Sequence, residues 1–317
     1  MNRMTNKPQL LGDSPEFTAL LRSLQVASAT DVTIMLLGES GTGKEQLARY
    51  IHENSLRRDA PFVAINCAAL PESLAESELF GHRKGAFTGA VSDNQGRIAA
   101  AEGGTLFLDE VGEMSAAIQS KVLRFLESGE YQRVGDTTSR QANVRVIAAT
   151  HADLLAKVEE GSFRQDLYYR LNVVPFQVPP LRERSGDVPL LVKELTRQLA
   201  ARHGLEPPRY TAEALRQLEN HHWPGNIREL RNLCERMLIL FPGQTVEVGN
   251  LPREIRIQGR KRWHFSLPDT GLKLEELEQE LLRQALDKAG GNQSRAARLL
   301  GLSRYAFIYR LKKYALL

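Results

Sequence analysis

The chain has 317 residues, 42% hydrophobic and 25% charged, an ordinary globular balance that excludes a mainly disordered chain, a collagen-like repeat and a disulfide scaffold. Its 42 Lys and Arg against 38 Asp and Glu leave a net charge of +4, but residues 289–317 hold six basic side chains and no acidic one. The remaining 36 basic and 38 acidic residues give the body a net of −2, so the basic tail points to a polyanion partner, with a solvated helix face left open by composition alone.

Along the first 180 residues, β-type apolar runs at 32–37, 62–66, 105–108, 144–148 and 173–178 alternate with helical spacing at 45–52, 116–128 and 163–170. This alternation predicts a mostly parallel sheet covered on both faces, an α/β domain over residues 10–180. After Pro179 and Pro180 the β-type runs stop. Residues 187–203, 211–220 and 226–240 read as helices, which predicts a smaller all-α unit over 181–250. Asn226 follows Pro224-Gly225 and precedes Glu229 by three residues, the pattern of a helix N-cap.

Residues 251–271 hold two prolines and two glycines with little periodicity and read as a linker. From 272 to 317 an all-α domain is predicted. Leu274, Leu277, Leu281, Ala285 and Leu286 lay an apolar stripe on a helix over 272–289, which Gly290-Gly291 stops. Two short helices follow at 293–300 and 304–314, separated by Gly301-Leu302-Ser303. Cys67 and Cys234 stand at no metal-ligand spacing and read as buried, reduced thiols. The N-terminus lacks the apolar core of a signal peptide, and no run approaches the ~20 apolar residues of a membrane span. A soluble, cytoplasmic protein is expected.

Gly38, Glu39, Ser40, Gly41, Thr42, Gly43, Lys44 and Glu45 follow an apolar strand and open a helix, which is the context a phosphate-binding loop requires. Glycines let backbone N–H groups turn towards phosphate oxygens, and the helix N-terminus adds its positive end. Lys44 is placed to reach the β- and γ-phosphates of ATP. Glu45 stands where Ser or Thr usually offers a hydroxyl to Mg²⁺, so water or another carboxylate has to replace that contact. A second strand ends in Asp109 and Glu110. Asp109 is read as holding Mg²⁺ through water, and Glu110 as orienting and activating the attacking water. Arg164, Arg170 and Arg228 are candidates for the positive charge that hydrolysis needs on the γ-phosphate. Taken singly, they are also ordinary helix-surface arginines.

The stretch Gly85, Ala86, Phe87, Thr88, Gly89 and Ala90 is a small-residue loop that presents one aromatic and one hydroxyl residue between glycines. With the two nucleotide motifs around it, the chain from about residue 10 to 317 resembles the bacterial enhancer-binding activators of sigma-54 RNA polymerase, a branch of the AAA+ ATPases. That resemblance implies that residues 85–90 contact the sigma factor. It makes Asn66 the residue that holds Glu110 back until the γ-phosphate is sensed. It also puts Thr150 and His151 at the sensor I position, where the family often has Asn in place of His151. Arg164 and Arg170 then become fingers reaching a neighbouring subunit's nucleotide, and Arg228 the sensor II arginine of a lid. Fingers supplied in trans imply a homo-oligomeric ring, most often a hexamer.

Residues 272–317 resemble the Fis-type helix-turn-helix module that ends these activators. Ser303 is expected to cap the recognition helix, with Ala306, Phe307 and Leu311 in the core. Arg304, Tyr305, Ile308, Tyr309, Arg310, Lys312 and Lys313 are expected to face the major groove and phosphates, with Ser294 and Arg295 on the DNA backbone. A basic helical pair that merely packs on the ATPase is the alternative. The first helix usually pairs with its copy, which implies a dimer on a two-fold symmetric site.

The expectation is an ATP-hydrolysing activator that binds enhancer DNA, assembles as a ring and remodels the sigma-54 RNA polymerase holoenzyme from closed to open complex. A passive DNA-binding regulator is disfavoured by intact Lys44, Asp109, Glu110, Arg164 and Arg170. An AAA+ initiator or chaperone has no reason to carry residues 85–90. No receiver or ligand-sensing domain is expected ahead of the ATPase, so control by a separate partner in trans or by a lost domain is expected.

Overall fold

The computed structural model describes residues 10–68, 72–256, 271–314 and 316. The chain divides into two compact units, Met1–Gly259 and Arg260–Leu317. Among the described residues no helix is long and apolar enough to cross a membrane.

In the larger unit the strands β1 (Ile34–Leu37), β2 (Phe62–Asn66) and β3 (Thr105–Asp109) are followed by the two-residue hairpin β4 (Glu130–Tyr131) and β5 (Arg140–Gln141), then β6 (Arg145–Thr150) and β7 (Val174–Gln177). Five of these form one sheet in the order β2-β3-β6-β1-β7, parallel throughout. The central strands β3 and β6 are buried on both faces, which is why they read as continuous apolar runs. Alternate residues serve opposite layers. Leu106 and Leu108 pack among α3 (Glu72–Phe80), α4 (Gly96–Ala100), α5 (Ala116–Ser128) and α7 (Gln165–Leu171). Phe107 points the other way, into the layer of α1 (Pro15–Ser28) and α2 (Lys44–Glu53). A further short helix, α6 (Leu154–Glu159), is capped by Asp153.

The all-α part consists of α8 (Asp187–His203), α9 (Ala212–Glu219) and α10 (Asn226–Leu240) around fully buried Trp223, whose indole N–H donates to the Leu218 carbonyl at 2.8 Å. Two expectations change here. A two-residue parallel pair, β8 (Arg209–Tyr210) with β9 (Thr245–Val246), shows that extended pairing does not stop at Pro180. Residues 251–256 also belong to this core, because Leu251 and Ile255 are buried and α11 (Arg253–Arg256) packs on α9. The rest of the expected linker up to residue 270 lies outside the described residues.

Residues 11–14 are tied to the start of α8. Asp187 accepts from the backbone N–H of Asp13 at 2.7 Å and of Ser14 at 3.0 Å, and from the Ser14 hydroxyl at 3.1 Å. Arg184, equally buried, donates to Asp187 at 2.7 Å and to the Leu11 carbonyl at 2.6 Å, with its guanidinium 3.8 Å above the Phe17 ring. Gly12 adopts φ +151°, and a Cβ there would lie 2.3 Å from Arg184 Nη2. Only glycine fits both the backbone angle and the space.

The smaller unit is three helices, α12 (Leu274–Lys288), α13 (Gln293–Leu299) and α14 (Arg304–Lys313), around Leu282, Ala285, Ala296, Ala297, Phe307 and Leu311. Ser303 caps α14 as expected, its hydroxyl accepting from the Ala306 N–H at 3.2 Å. Phe307 and Leu311 are buried, whereas Ala306 is half-exposed.

Candidate active site

The turn from β1 into α2 sits at the C-terminal edge of the parallel sheet, where open α/β sheets place their ligands. Lys44, 6% exposed at the start of α2, folds back so that Nζ donates to the Gly38 carbonyl at 2.8 Å and the Glu39 carbonyl at 3.2 Å. Burial holds its pKa below the usual lysine value, with the charges of Glu110 and Asp109 partly opposing that. Ser40, Gly41, Thr42, Gly43, Lys44, Glu45, Asp109, Glu110 and Arg228 all line one cleft of about 1020 Å³, together with Leu10, Leu11, Phe17 and Ile227. The fold thus brings residues 40–45 of the phosphate loop, both acidic residues and Arg228 to one place.

Asp109 closes β3, and Glu110 follows in left-handed backbone at φ 54°. Burial first, and the neighbouring Glu110 charge second, raise the Asp109 pKa above the carboxylate norm. Cys67, whose N–H donates to the Asp109 carbonyl at 2.9 Å, is pushed up to about 12 by its burial and then by the same two carboxylates. It is buried and inert, as expected of a structural thiol. Glu110 Oε1 lies 3.8 Å from Lys44 Nζ, and its other oxygen is 2.6 Å from His151 Nδ1 and 3.3 Å from the His151 backbone nitrogen.

Asn66 makes no contact with Glu110 among the described residues. Its amide donates to Asp109 Oδ2 at 3.4 Å and its carbonyl oxygen accepts from the Ala68 N–H at 2.9 Å. Asn66 ends β2, directly in register with Asp109, so its side chain reaches that carboxylate and not Glu110. His151 is the side chain that holds Glu110. The Thr150 hydroxyl is likewise not offered to a ligand: it is 1% exposed and accepts from the Ala152 N–H at 3.0 Å. Glu45 pairs with Arg49 one turn along α2, at 2.8 Å.

The lid is stitched to the phosphate loop. Arg182 grips Glu39 through two bonds of 2.8 and 2.7 Å, which together with Asn226 hold the Glu39 pKa down. Asn226 is not the N-cap predicted. Gly225 occupies that place, and Glu229 reaches back to its N–H at 2.8 Å. Asn226, fully buried with φ 51°, instead accepts from the Leu181 N–H at 2.8 Å and donates to the Ser40 carbonyl at 3.0 Å and to Glu39 at 3.2 Å. Ile227 N–H donates to the Gly41 carbonyl at 3.0 Å, and Arg228 donates to the Ser40 hydroxyl at 2.9 Å. A Cβ on Gly41 would stand 2.4 Å from the Gly225 carbonyl oxygen, so a glycine permits this close approach.

Arg164 and Arg170 lie away from the cleft. Arg164 is exposed and paired with Asp166 at 2.7 Å, and Arg170 donates to the Leu126 carbonyl at 3.1 and 2.9 Å. In the loop at 85–90, Thr88 is exposed. Phe87 is half-buried, its ring edge-on to His82 at 5.0 Å between centroids, and His82 Nδ1 lies 2.6 Å from the Ser77 hydroxyl. The tip thus presents Thr88 freely but keeps its aromatic against a side chain that sequence reasoning missed. On α14, Arg304, Tyr305, Tyr309, Lys312 and Lys313 are exposed, as is Arg295 on α13, while Ser294 and Ile308 are half-buried. Arg310 is half-buried and bonded to Glu278 of α12 at 2.7 Å, so it is tied to the first helix of the unit.

Comparison with known proteins finds three family matches in succession. The sigma-54 interaction domain family matches residues 10–177, the AAA+ ATPase lid domain family 182–264, and the Fis family of bacterial regulatory proteins 273–314. The transcriptional regulatory protein ZraR of Klebsiella oxytoca is 45% identical over 96% of this chain and 68% of its own length. The DNA-binding transcriptional regulator NtrC of Rhizobium meliloti is 44% identical over 93% of this chain and 67% of its own, and the Nif-specific regulatory protein of Azotobacter vinelandii is 45% identical over 96% and 58%. Crystal structures of NtrX from Brucella abortus with ADP and with ATP superpose with TM-scores of 0.73 and 0.72 at 37% identity, covering 96% of this chain and 69% of theirs. With three family matches in succession and these identities, the chain belongs to the sigma-54 interaction family and is a sigma-54-dependent transcriptional activator, an AAA+ ATPase with a lid and a Fis-type DNA-binding helix-turn-helix.

Proposed function

We propose that this activator binds enhancer DNA through α14, assembles as a ring, and uses ATP turnover to drive Thr88 and Phe87 against sigma-54, remodelling the closed promoter complex into the open one. The observation that carries this reading is the position of Glu110, held between Lys44 and His151 at the mouth of a cleft that also holds the phosphate loop and Arg228. ATP binds with its phosphates over residues 38–45 and its base towards Leu10, Leu11 and Ile227. Lys44 exchanges its two carbonyl partners for phosphate oxygens. Glu110 accepts the proton of the attacking water, and Arg228 leaves the Ser40 hydroxyl for the γ-phosphate.

Asp109 is the residue that would hold Mg²⁺. One half-buried carboxylate beside a second, completed by substrate phosphates and water, is the kind of donor set this ion takes. When bound, Mg²⁺ neutralises charge developing on the phosphate oxygens. Arg164 and Arg170, which face away from their own cleft, serve the neighbouring subunit's nucleotide, and that arrangement supports a ring over a monomer.

Transcription in vitro from a sigma-54 promoter tests it. Open complexes should form with ATP and not with a non-hydrolysable analogue. Activation that persists with the analogue would reject the remodelling mechanism.

A further inference from the structure

On α14 the side chains that leave the core form two rows at i, i+4 spacing. Arg304, Ile308 and Lys312 make one, and Tyr305, Tyr309 and Lys313 the other. Tyr305 is 84% exposed and Tyr309 63%, and neither hydroxyl is hydrogen-bonded among the described residues. Water around two bare aromatic rings and a half-exposed isoleucine is unfavourable, and a small three-helix unit has no structural use for such a patch.

The ends of this patch are basic. Arg304 stands in the first turn and Lys312 in the last, both exposed, and residues 289–317 hold no acidic side chain. Arg310 is withdrawn from that field by Glu278, and Lys313 leans on the Tyr314 hydroxyl at 3.0 Å. What remains is an apolar, aromatic centre between positive ends. The matching partner is a polyanion with an apolar feature in its groove. Double-stranded DNA has one: the thymine C5-methyl group in the major groove.

We propose that Tyr305, Ile308 and Tyr309 read sequence by contact with thymine methyl groups, with Arg304 as the hydrogen-bonding base reader and Lys312 on phosphate. This rests on α14 being the helix that enters the groove. It makes the preferred half-site rich in thymine at the positions under the two rings, and it assigns specificity to contacts that do not depend on ionic strength.

The test uses the full chain and duplexes selected by it from a random pool, rebuilt with deoxyuridine replacing each thymidine in turn. Removing one read methyl should weaken binding about fourfold, the worth of one buried methylene. Tyr305→Ala and Tyr309→Ala should erase that difference at their own positions without lowering the salt slope, and Tyr309→Phe should keep it, because the ring reads and not the hydroxyl. Lys312→Ala should behave the opposite way, lowering the slope by about one counterion while keeping the uracil penalty. Thermal unfolding of each variant separates a lost contact from a lost fold. Equal affinity for thymine and uracil sites, or tyrosine variants that keep the penalty, would overturn the methyl reading while leaving DNA binding intact. Failure to select any duplex would overturn the assignment of α14 itself, and the tyrosines would then belong to a protein-docking surface.

Discussion

His151 Nδ1 lies 2.6 Å from Glu110 Oε2, and Lys44 Nζ stands 3.8 Å from the other oxygen of the same carboxylate. A carboxylate only accepts, so this bond places a proton on Nδ1 of the imidazole. One carboxylate is thus shared between His151 at hydrogen-bond distance and Lys44 at ion-pair distance. His151→Ala should let the two charges collapse together, weakening ATP binding and lowering turnover about 10- to 100-fold. His151→Asn, whose amide can donate to the same oxygen, should recover most of the loss. Steady-state hydrolysis and nucleotide titration read both; wild-type values for the alanine variant would remove His151 from this role.

Glu110→Gln keeps the shape but loses the base. Nucleotide binding should persist while hydrolysis falls at least 100-fold, within the range of ~10²–10⁴ that general-base catalysis contributes. Rapid turnover by this variant would sink the assignment of Glu110.

Thr88 is exposed and far from the chemistry of the cleft. Thr88→Ala should hydrolyse ATP at the wild-type rate yet fail to open a sigma-54 promoter. Parallel loss of both activities would show that the loop acts on the ATPase rather than on the sigma factor.

Two contacts to Glu39 predict different costs. Asn226 is fully buried and serves Leu181, Ser40 and Glu39 at once, so Asn226→Ala leaves a buried N–H without its partner and should lower stability by about 1–3 kcal/mol. Arg182 and Glu39 are 38% and 42% exposed, and Arg182→Ala should lower it by less than about 1 kcal/mol despite the better geometry. Denaturant unfolding of the two variants decides between burial and charge as the glue between the lid and the phosphate loop.

His52, buried against Phe62 with Nδ1 2.9 Å from the Thr105 hydroxyl, has its pKa lowered from 6.5, chiefly by burial. The unfolded chain therefore takes up a proton at higher pH than the folded one. Its contribution is intact above about pH 6.5 and is lost as pH falls through that value towards the folded pKa. His52→Gln should flatten the slope of unfolding midpoint against pH between 7 and 5, whatever it does to the midpoint itself. An unchanged slope would mean that His52 titrates alike in the folded and unfolded chain.

What was legible in the sequence is what repeats locally. The 62–66 strand, the 116–128 and 187–203 helices and the phosphate loop each carry their signal within a few residues, and the structure places them at those positions. Asn226 shows the limit. Its neighbours spell an N-cap, but its partners are Leu181, Ser40 and Glu39, far away in sequence, and satisfying three buried groups outweighs capping one helix turn. Glu110 shows it again: Asn66 and His151 both stand at strand ends near it, and only sheet register decides that Asn66 meets Asp109. The place of Leu251 and Ile255 is hidden for a related reason, since a short apolar stretch beside a proline and a glycine declares itself only when a core receives it.

Asp187 gathers the backbone of Asp13 and Ser14, the Ser14 hydroxyl and the guanidinium of Arg184 at the first turn of the lid. The strand of chain ahead of α1 is thereby a stay fastened to the boom it steadies. Leu11, held by Arg184, also lines the cleft with Leu10, so the tie that fixes the start of α8 and one wall of the cleft share the same few residues.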